Sequence, residues 1–199
     1  MLILVRHGQT AANAAGLFLG RADPPLTDLG HRQAAALAAA LPRPARVISS
    51  PLERARDTAA AFGVPVDVDE RWIEMDYGQL DEQPVAALTP SVRERWRADV
   101  NHAPEGGESL ASVGRRVRAA CEAVTADARD ADVVVVSHVS PIKAAIAWAL
   151  GTGDQIAWHM YVNDAAVCRI SIGSDGPLLR SFNESFPVLP ASEDAPRRS

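Results

Sequence analysis

The longest run of β-branched residues in the chain constrains its fold more than any other segment. Residues 132–137 are Asp-Val-Val-Val-Val-Ser, a continuous apolar run with the length of a strand that is buried on both faces. Strands of this kind occur in parallel sheets that helices cover on both sides. The run therefore predicts an α/β domain with this strand near the centre of the sheet.

Strand and helix patterns alternate along the rest of the chain. Further strands are predicted at residues 2–5, 47–50, 64–68, 167–172 and 178–182. Helices are predicted at residues 27–41, 53–61, 91–99, 109–130 and 141–150. This alternation predicts a three-layer α/β/α sandwich with a mostly parallel central sheet. Ligands of such folds bind at the carboxyl ends of the strands.

Chain length and proline positions indicate one domain with a small helical cap insertion. The 199 residues fit a single domain. Prolines at positions 84, 90 and 104 divide residues 72–104 into short helices. We therefore predict a domain at residues 1–186 with a cap at about residues 72–104. The tail at residues 187–199, rich in Pro, Ser, Glu and Arg, is predicted to be disordered.

Composition argues against several classes of protein. The formal net charge is −5, and no basic stripe with interleaved aromatic residues suggests a nucleic-acid partner. No apolar run approaches a membrane span, and the first residues lack the features of a signal peptide. The two cysteines, Cys121 and Cys168, are too few for a disulfide scaffold. We expect a cytoplasmic monomer or homodimer that binds neither nucleic acid nor a membrane.

Histidines and arginines follow three of the predicted strands. Arg6 and His7 follow the first strand, Arg54 follows the second, and His138 follows the Val-rich strand. A single histidine is more often a packed core residue than a site residue. Two histidines at strand ends, with two arginines beside them, instead favour a pocket for a tetrahedral dianion. Gly8 lacks a Cβ and is expected to let the backbone approach that ligand closely.

A metal site is the competing interpretation of this cluster. The sequence contains no H-E-x-x-H motif and no Cys/His box with ligand spacing. Arginines next to a metal ion would also repel it. We therefore predict neither a metal nor a cofactor. Lys143, the one lysine of the chain, follows Ile142 rather than glycine, so it does not belong to a P-loop.

Five motifs, in order along the chain, resemble those of the histidine phosphatase (phosphoglycerate mutase-like) superfamily. They lie at residues 6–10 (with Asn13 and residues 20–30), 49–59, 74–78, 106–109 and 137–138, and span roughly residues 1–151. Each motif alone is weak, but five in the family order are highly specific. The chain is most similar to the phosphatase branch and to actinobacterial α-ribazole phosphatase-like domains.

The resemblance implies a phosphomonoesterase that hydrolyses a small phosphorylated metabolite through a phosphohistidine on His7. It implies that Glu74 is the proton donor, with Asp76 as the nearest competitor for that role. It also implies that Arg6, Arg54 and His138 hold the phosphoryl oxygens. The further candidates for binding phosphate or substrate are Gly8, Gln9, Thr10, Asn13, Arg21 and Val139.

Departures from the family pattern bear on the substrate. Val139 follows the second histidine, where the family usually has glycine. Residues 78–82 replace the usual Gly-x-x-Glu-Gly block, and the chain lacks the extra insertion of the cofactor-dependent mutases. A more open pocket would admit water and favour hydrolysis. Two alternatives remain, a 2,3-bisphosphoglycerate-dependent phosphoglycerate mutase and a non-catalytic phosphate-binding module.

Overall fold

The computed structural model describes residues 1–188, and six strands and six α-helices make up most of this part of the chain. The strands are β1 (Leu2–Arg6), β2 (Arg46–Ser49), β3 (Val66–Val68), β4 (Val133–Ser137), β5 (Val167–Gly173) and β6 (Gly176–Glu184). The helices are α1 (Ala11–Ala14), α2 (Asp28–Ala40), α3 (Glu53–Ala60), α4 (Pro90–Ala98), α5 (Leu110–Asp130) and α6 (Val139–Ala149). The tail predicted to be disordered lies, from residue 189 onward, outside the described residues.

The strands form one mixed sheet in the order β3-β2-β4-β1-β5-β6. The pairs β1–β4, β2–β4 and β2–β3 are parallel, whereas β5 is antiparallel to β1 and β6 is antiparallel to β5. The antiparallel β5–β6 pair follows from the short turn between Gly173 and Gly176, because a hairpin can join only antiparallel strands. The predicted α/β/α fold is confirmed, with an antiparallel hairpin at one edge.

The Val-rich strand β4 lies in the middle of the sheet, and helices cover both of its faces. Val133 and Val135 belong to the cluster that includes α5 and α6, whereas Val134 and Val136 pack with residues of α2 and α3. All five residues of β4 are buried. Successive residues of a strand point to opposite faces, so a run without polar residues requires cover on both sides.

The register of β1 against β4 brings the predicted site residues together. Arg6 pairs with Ser137, so His7 and His138 both follow directly after paired residues of adjacent parallel strands. The backbone N–H of His7 donates to the carbonyl of Ser137 at 3.0 Å. The two imidazole rings consequently lie with their centroids 5.0 Å apart.

Most predicted element boundaries are within one or two residues of the observed ones. Helix α6 begins at Val139 rather than Pro141, because proline is tolerated in the first turn of a helix, where its missing N–H has no helical acceptor. Strand β3 is shorter than predicted, since it begins only after Pro65.

The segment between β3 and α5 consists of short 3-10 turns and helix α4. The turns cover Glu70–Trp72, Gly78–Leu80 and Val85–Ala87. Trp96 of α4 is buried against the rings of Phe18 and Tyr77. Whether this segment is a separate cap with limits at residues 72 and 104 stays a prediction. Within residues 1–188, no helix combines the length and apolarity that crossing a bilayer requires.

Candidate functional site

Residues from several strand ends surround a cavity of about 530 Å³. Of the residues predicted from the sequence, five line this cavity: Arg6, His7, Asn13, Glu74 and Val139. Arg54 and His138 are fully buried directly behind them, in contact with His7. The structure therefore brings the predicted nucleophile, proton donor and cationic side chains into one place.

The hydrogen bonds of His7 determine which of its ring nitrogens is free. Its Nδ1 lies 2.7 Å from the carbonyl oxygen of Gly8. A carbonyl can only accept, so Nδ1 carries the proton and Nε2 presents a lone pair. Burial lowers the pKa of His7 well below its ordinary value, and the guanidinium groups of Arg54 and Arg6 lower it further. A neutral His7 thus exposes a nucleophilic Nε2 near pH 7.

Arg54 is held by backbone carbonyls as well as by a carboxylate. Its Nε donates to Nε2 of His7 at 3.3 Å, and its Nη2 donates to the carbonyl of Gly20 at 2.8 Å. Its Nη1 donates to the carbonyl of Ala22 at 2.7 Å and to Oδ1 of Asp23 at 3.3 Å. The side chain is 0% exposed. These contacts fix the guanidinium against the nucleophilic nitrogen.

The block that departs from the family pattern supports the loop that holds Arg54. The carboxylate of Asp81 accepts hydrogen bonds from the backbone N–H groups of Gly20, Arg21 and Ala22 at 2.6, 2.9 and 2.9 Å. The Arg21 side chain, predicted to bind a second anionic group, lies instead 3.7 Å from Glu108. Arg21 is not among the described residues that line the cavity.

His138 has one occupied and one open ring nitrogen. Its Nε2 lies 2.7 Å from Oγ of Ser50. Its Nδ1 is buried and has no hydrogen-bond partner among residues 1–188. Burial lowers the pKa of His138 well below its ordinary value, with Arg54 and His7 as the next causes. A buried nitrogen without a partner is uncommon in proteins and is available to a ligand.

Arg6 is oriented by a loop that the sequence analysis did not identify. Its Nη1 donates to the carbonyl of Val162 at 2.8 Å, and its Nη2 lies 2.9 Å from Asp164. Its Nε is buried and, in the described part of the chain, has no partner. No motif marks Val162 or Asp164 in the sequence, and Ala165 after them has a φ of 54°. This loop before β5 contacts both terminal nitrogens of Arg6 and does not contact Nε.

Glu74 is 3% exposed and lines the same cavity. Its Oε1 accepts from the backbone N–H of Met75 at 2.7 Å and from that of Ser140 at 3.2 Å. Ser140 lies in the first turn of α6, where the helix dipole favours a negative charge. Asp76, the competing carboxylate, accepts from the N–H of Gly78 at 2.8 Å and is not among the described lining residues. Glu74 is thus the better-placed of the two carboxylates.

The remaining predicted binding residues have contacts within the protein. Thr10 caps α1, and the side chains of Thr10 and Asn13 form a reciprocal capping box. The N–H of Gln9 donates to Oε1 of Gln33 at 2.8 Å. Of these three predicted residues, only Asn13 also lines the cavity.

Gly8 allows a close approach between two backbone segments. A Cβ on Gly8 would lie far inside van der Waals contact with the carbonyl oxygen of Gly30. Its N–H donates to Oγ1 of Thr58 at 3.0 Å. The missing side chain therefore lets α2 pack against the loop after β1. The sequence had suggested a different role for Gly8, a close approach of the backbone to a ligand.

The cluster is cationic rather than of the metal-binding type. In residues 1–188, no group of three His, Cys, Asp or Glu side chains is arranged so that it could hold a metal ion. Guanidinium and imidazole N–H groups suit an oxyanion. A bound oxyanion would also give hydrogen bonds to Nε of Arg6 and Nδ1 of His138, which are buried and have no partner within residues 1–188.

The chain matches the family model of the histidine phosphatase superfamily (branch 1) over residues 2–185. It belongs to this family. The family that the five motifs resemble is therefore confirmed, and its known members can be compared with the chain.

Two relatives share more than a third of their aligned residues with this histidine phosphatase domain. The bifunctional protein Rv2228c of Mycobacterium tuberculosis is 37% identical over 185 residues, which are 88% of this chain and 51% of that protein. The chain thus spans about half the length of this relative. Glucosyl-3-phosphoglycerate phosphatase of Mycolicibacterium vanbaalenii is 39% identical over 166 residues, 75% of this chain and 74% of that protein.

A solved structure shows the same architecture. The crystal structure of α-ribazole phosphatase from Shigella flexneri superimposes with a TM-score of 0.78 at 28% identity, and the match covers 95% of this chain and 99% of that one. A protein named as a phosphatase therefore shares the fold of this histidine phosphatase domain.

Proposed function

We propose that the protein is a phosphomonoesterase that hydrolyses a small phosphorylated metabolite through a phosphohistidine on His7. The observation that carries this proposal is the state of the His7 ring, neutral and buried, with Nδ1 bonded to Gly8 and an unprotonated Nε2 whose lone pair faces Arg54. The phosphatase names of the relatives support it. So does the cavity next to His7, which is large enough for a small organic phosphate.

The phosphoryl group would be held by the donors that surround His7. The Nε of Arg6 and the Nδ1 of His138 lack partners and would donate to its oxygens. The hydroxyl of Ser50 accepts from the N–H of Leu52 at 3.3 Å and can give its own hydrogen to Nε2 of His138, which leaves the ring proton on Nδ1. Positioned donors of this kind supply most of the stabilisation in phosphoryl transfer.

In the first step, Nε2 of His7 attacks phosphorus and the P–O ester bond breaks. The leaving alcohol oxygen takes its proton from the Glu74 carboxyl, which lies in the same cavity as His7. The products of this step are the free alcohol and an N-phosphorylated His7. Arg54, whose Nε contacts Nε2 of the free enzyme, would move its hydrogen bond to a phosphoryl oxygen.

In the second step, the Glu74 carboxylate takes a proton from water, and the resulting hydroxide attacks phosphorus. The P–N bond breaks, inorganic phosphate leaves, and His7 returns to its neutral state. Splitting the displacement in two replaces one difficult step by two easier ones. A phosphoglycerate mutase would use the same first step but pass the phosphoryl group to a second substrate.

The test is an assay of p-nitrophenyl phosphate and a panel of metabolite esters in the presence of EDTA. We expect turnover that EDTA does not inhibit and, on protein quenched in alkali, a phosphoryl label that later acid treatment removes. His7→Ala should lower kcat by at least about 1,000-fold, whereas His31→Ala, at an exposed histidine of α2, should not. Near-normal turnover by His7→Ala, or loss of turnover with EDTA, would overturn the proposal.

A second assay separates hydrolase from mutase. The protein is incubated with 3-phosphoglycerate and 2,3-bisphosphoglycerate, and both inorganic phosphate and 2-phosphoglycerate are measured. We expect phosphate to exceed 2-phosphoglycerate. The reverse result would favour the mutase.

We further propose that the protein acts in the cytoplasm as a monomer or homodimer, without a nucleic-acid or membrane partner. The free state of the buried Cys121 and Cys168 supports this location, because disulfides are rare in the cytoplasm. The net charge of −5 supports the expected lack of nucleic-acid binding.

A further inference from the structure

Lys143, the one lysine in a chain with nineteen arginines, lies in the lining of the cavity. It belongs to α6 and follows Val139 by four residues and Ser140 by three, so the three residues share one face of the helix. Val139 and Ser140 line the same cavity. Ile142 and Ala144, on either side of Lys143, are buried in the core. The helix therefore presents Lys143 on its cavity side.

The ammonium group of Lys143 is half-buried and has no hydrogen bond or ion pair within residues 1–188. Burial lowers the pKa of Lys143, while the Glu74 carboxylate raises it and the Arg6 guanidinium lowers it. Lys143 therefore lies near the groups assigned to the reaction without bonding to them. A half-buried charge without a partner is costly, and an anionic ligand would remove that cost.

Within residues 1–188, no carboxylate of the cavity forms an ion pair with Lys143. Arg6 forms an ion pair with Asp164 at 2.9 Å, and Glu74 accepts from two backbone N–H groups. Lys143 is consequently a cation that neither the phosphate-holding set nor the proton donor uses.

Two exposed arginines add positive potential to the same cavity. Arg93 and Arg97 lie one turn apart on α4, and both line the cavity. Because they are exposed, their charges are screened by solvent, and their effect is to attract anions rather than to bind one tightly. The less exposed Lys143 is the better candidate for direct contact.

Next to these cations the cavity has an aromatic wall, made up of Phe18, Tyr77, Trp96 and Trp158. The neighbouring rings in this wall have centroids 5.0 to 6.0 Å apart. All four residues line the cavity. An aromatic surface beside a cation suits a ligand with an apolar or ring-shaped body and one negative group.

We propose that Lys143 binds a carboxylate on the alcohol portion of the substrate while the aromatic wall contacts the apolar part of that portion. The inference rests on the proposed phosphomonoesterase function and adds its substrate class, the phosphate esters of carboxylate-bearing alcohols or phenols. An ammonium group is a compact single charge, and one carboxylate neutralises it without a further buried charge.

The test uses a pair of esters that differ mainly in charge, 4-carboxyphenyl phosphate and its neutral amide, 4-carbamoylphenyl phosphate. Their kcat/KM values are measured for the wild type, Lys143→Met, Lys143→Arg and Arg180→Met. The quantity compared is the carboxylate-to-amide ratio of kcat/KM for each protein. Differences in leaving-group reactivity cancel when this ratio is compared between variants. Arg180→Met removes one positive charge from β6, outside the cavity lining.

We expect the carboxylate-to-amide ratio to fall about 10- to 100-fold in Lys143→Met, the range of a hydrogen bond to a charged group. Lys143→Arg should keep a substantial part of the preference. Arg180→Met should leave the ratio unchanged, because a distant charge on the surface is screened.

Two results would overturn the inference, and they are distinguishable. If the wild type hydrolyses p-nitrophenyl phosphate but the ratio does not change in Lys143→Met, the carboxylate site is wrong and the proposed function stands. If the wild type hydrolyses none of the three esters, the substrate class fails, and if it also hydrolyses no ester of the metabolite panel, the proposed function fails with it. An equal loss with both esters would make Lys143 a general contributor to activity and would also overturn the inference.

Discussion

The carboxylate of Asp164 lies 2.9 Å from Nη2 of Arg6 and holds its guanidinium in the site. The carbonyl of Val162 takes Nη1 of Arg6 at 2.8 Å. Each terminal nitrogen has one of these contacts, whereas the buried Nε has no partner within residues 1–188 and is open to a ligand. Asp164 is therefore a positioning residue in the proposed mechanism.

Asp164→Asn should weaken the binding of inorganic phosphate and have a smaller effect on the stability of the folded protein. The amide keeps the shape of the side chain but loses the charge that fixes Arg6, a loss of roughly 1–2 kcal/mol for a charged hydrogen bond. We expect the inhibition constant of inorganic phosphate to rise about tenfold. Asp175→Asn, in the exposed turn before β6, is the control. A lower melting temperature with an unchanged inhibition constant would make the role of Asp164 structural only.

Gly8→Ala should destabilise the protein because its Cβ would overlap the carbonyl oxygen of Gly30. Overpacking of this kind costs about 1–3 kcal/mol. Denaturant unfolding of the wild type and the variant measures the cost. Gly173→Ala is the matched control, since its Cβ would meet one atom, at 3.9 Å. Equal stability of Gly8→Ala and the wild type would show that the loop and α2 can separate without cost.

The free energy of unfolding should fall as the pH is lowered from 7.5 to 5.5. Burial lowers the pKa of His7 and that of His138 well below the ordinary value of 6.5. Below about pH 6.5 the unfolded chain therefore binds protons that the folded chain does not, and stability decreases by up to about 1.4 kcal/mol per pH unit for each histidine. The stability that the two neutral histidines allow is therefore fully present above the pKa of an unfolded histidine, about 6.5, and is lost as the pH falls below it.

Denaturant unfolding in phosphate-free buffer checks this pH dependence. His138→Gln should reduce the slope of unfolding free energy against pH, and His31→Gln, at an exposed position, should not. A free energy that stays constant from pH 7.5 to 5.5 would contradict the neutral state of the two buried rings.

Ser50→Ala should lower kcat about tenfold, because His138 would lose the partner that lies 2.7 Å from its Nε2. Without the hydroxyl the ring proton can settle on either nitrogen, so the pH profile of kcat should also shift. Ser49→Ala is the matched control, since this buried serine donates to a backbone carbonyl at 2.8 Å. An unchanged pH profile in Ser50→Ala would remove Ser50 from the positioning of His138.

The sequence predicted the parts of the molecule that local patterns determine. The Val-rich run predicted β4 and its central position, because an apolar strand without alternation must be covered on both faces. The residues that follow β1, β2 and β4 predicted which side chains would meet, because parallel strands end at the same edge of the sheet. The antiparallel pairing of β5 with β1 was the part of the sheet that the predicted fold did not specify.

The partners of the predicted side chains could not be found in the same way. Asp164 and Val162 contact Arg6 from a loop more than 150 residues along the chain, and no local pattern relates the two segments. Ser50 was visible inside a motif, but its contact with His138 depends on the pairing of β2 with β4. Arg21 was predicted to bind an anion because its charge is evident in the sequence. Its contact with Glu108 is not evident there, because the two residues are far apart in the chain and meet only in the fold.

The central position of β1 and β4 has a consequence for hydrogen exchange. Two strands lie on each side of this pair, so the edges of the sheet can open without disturbing it. The amides of Leu4 and Val135 should exchange only through global unfolding, whereas those of β3 and β6 should exchange through local opening. The two histidines are therefore anchored to the part of the molecule that opens last, and the site keeps its geometry for as long as the domain stays folded.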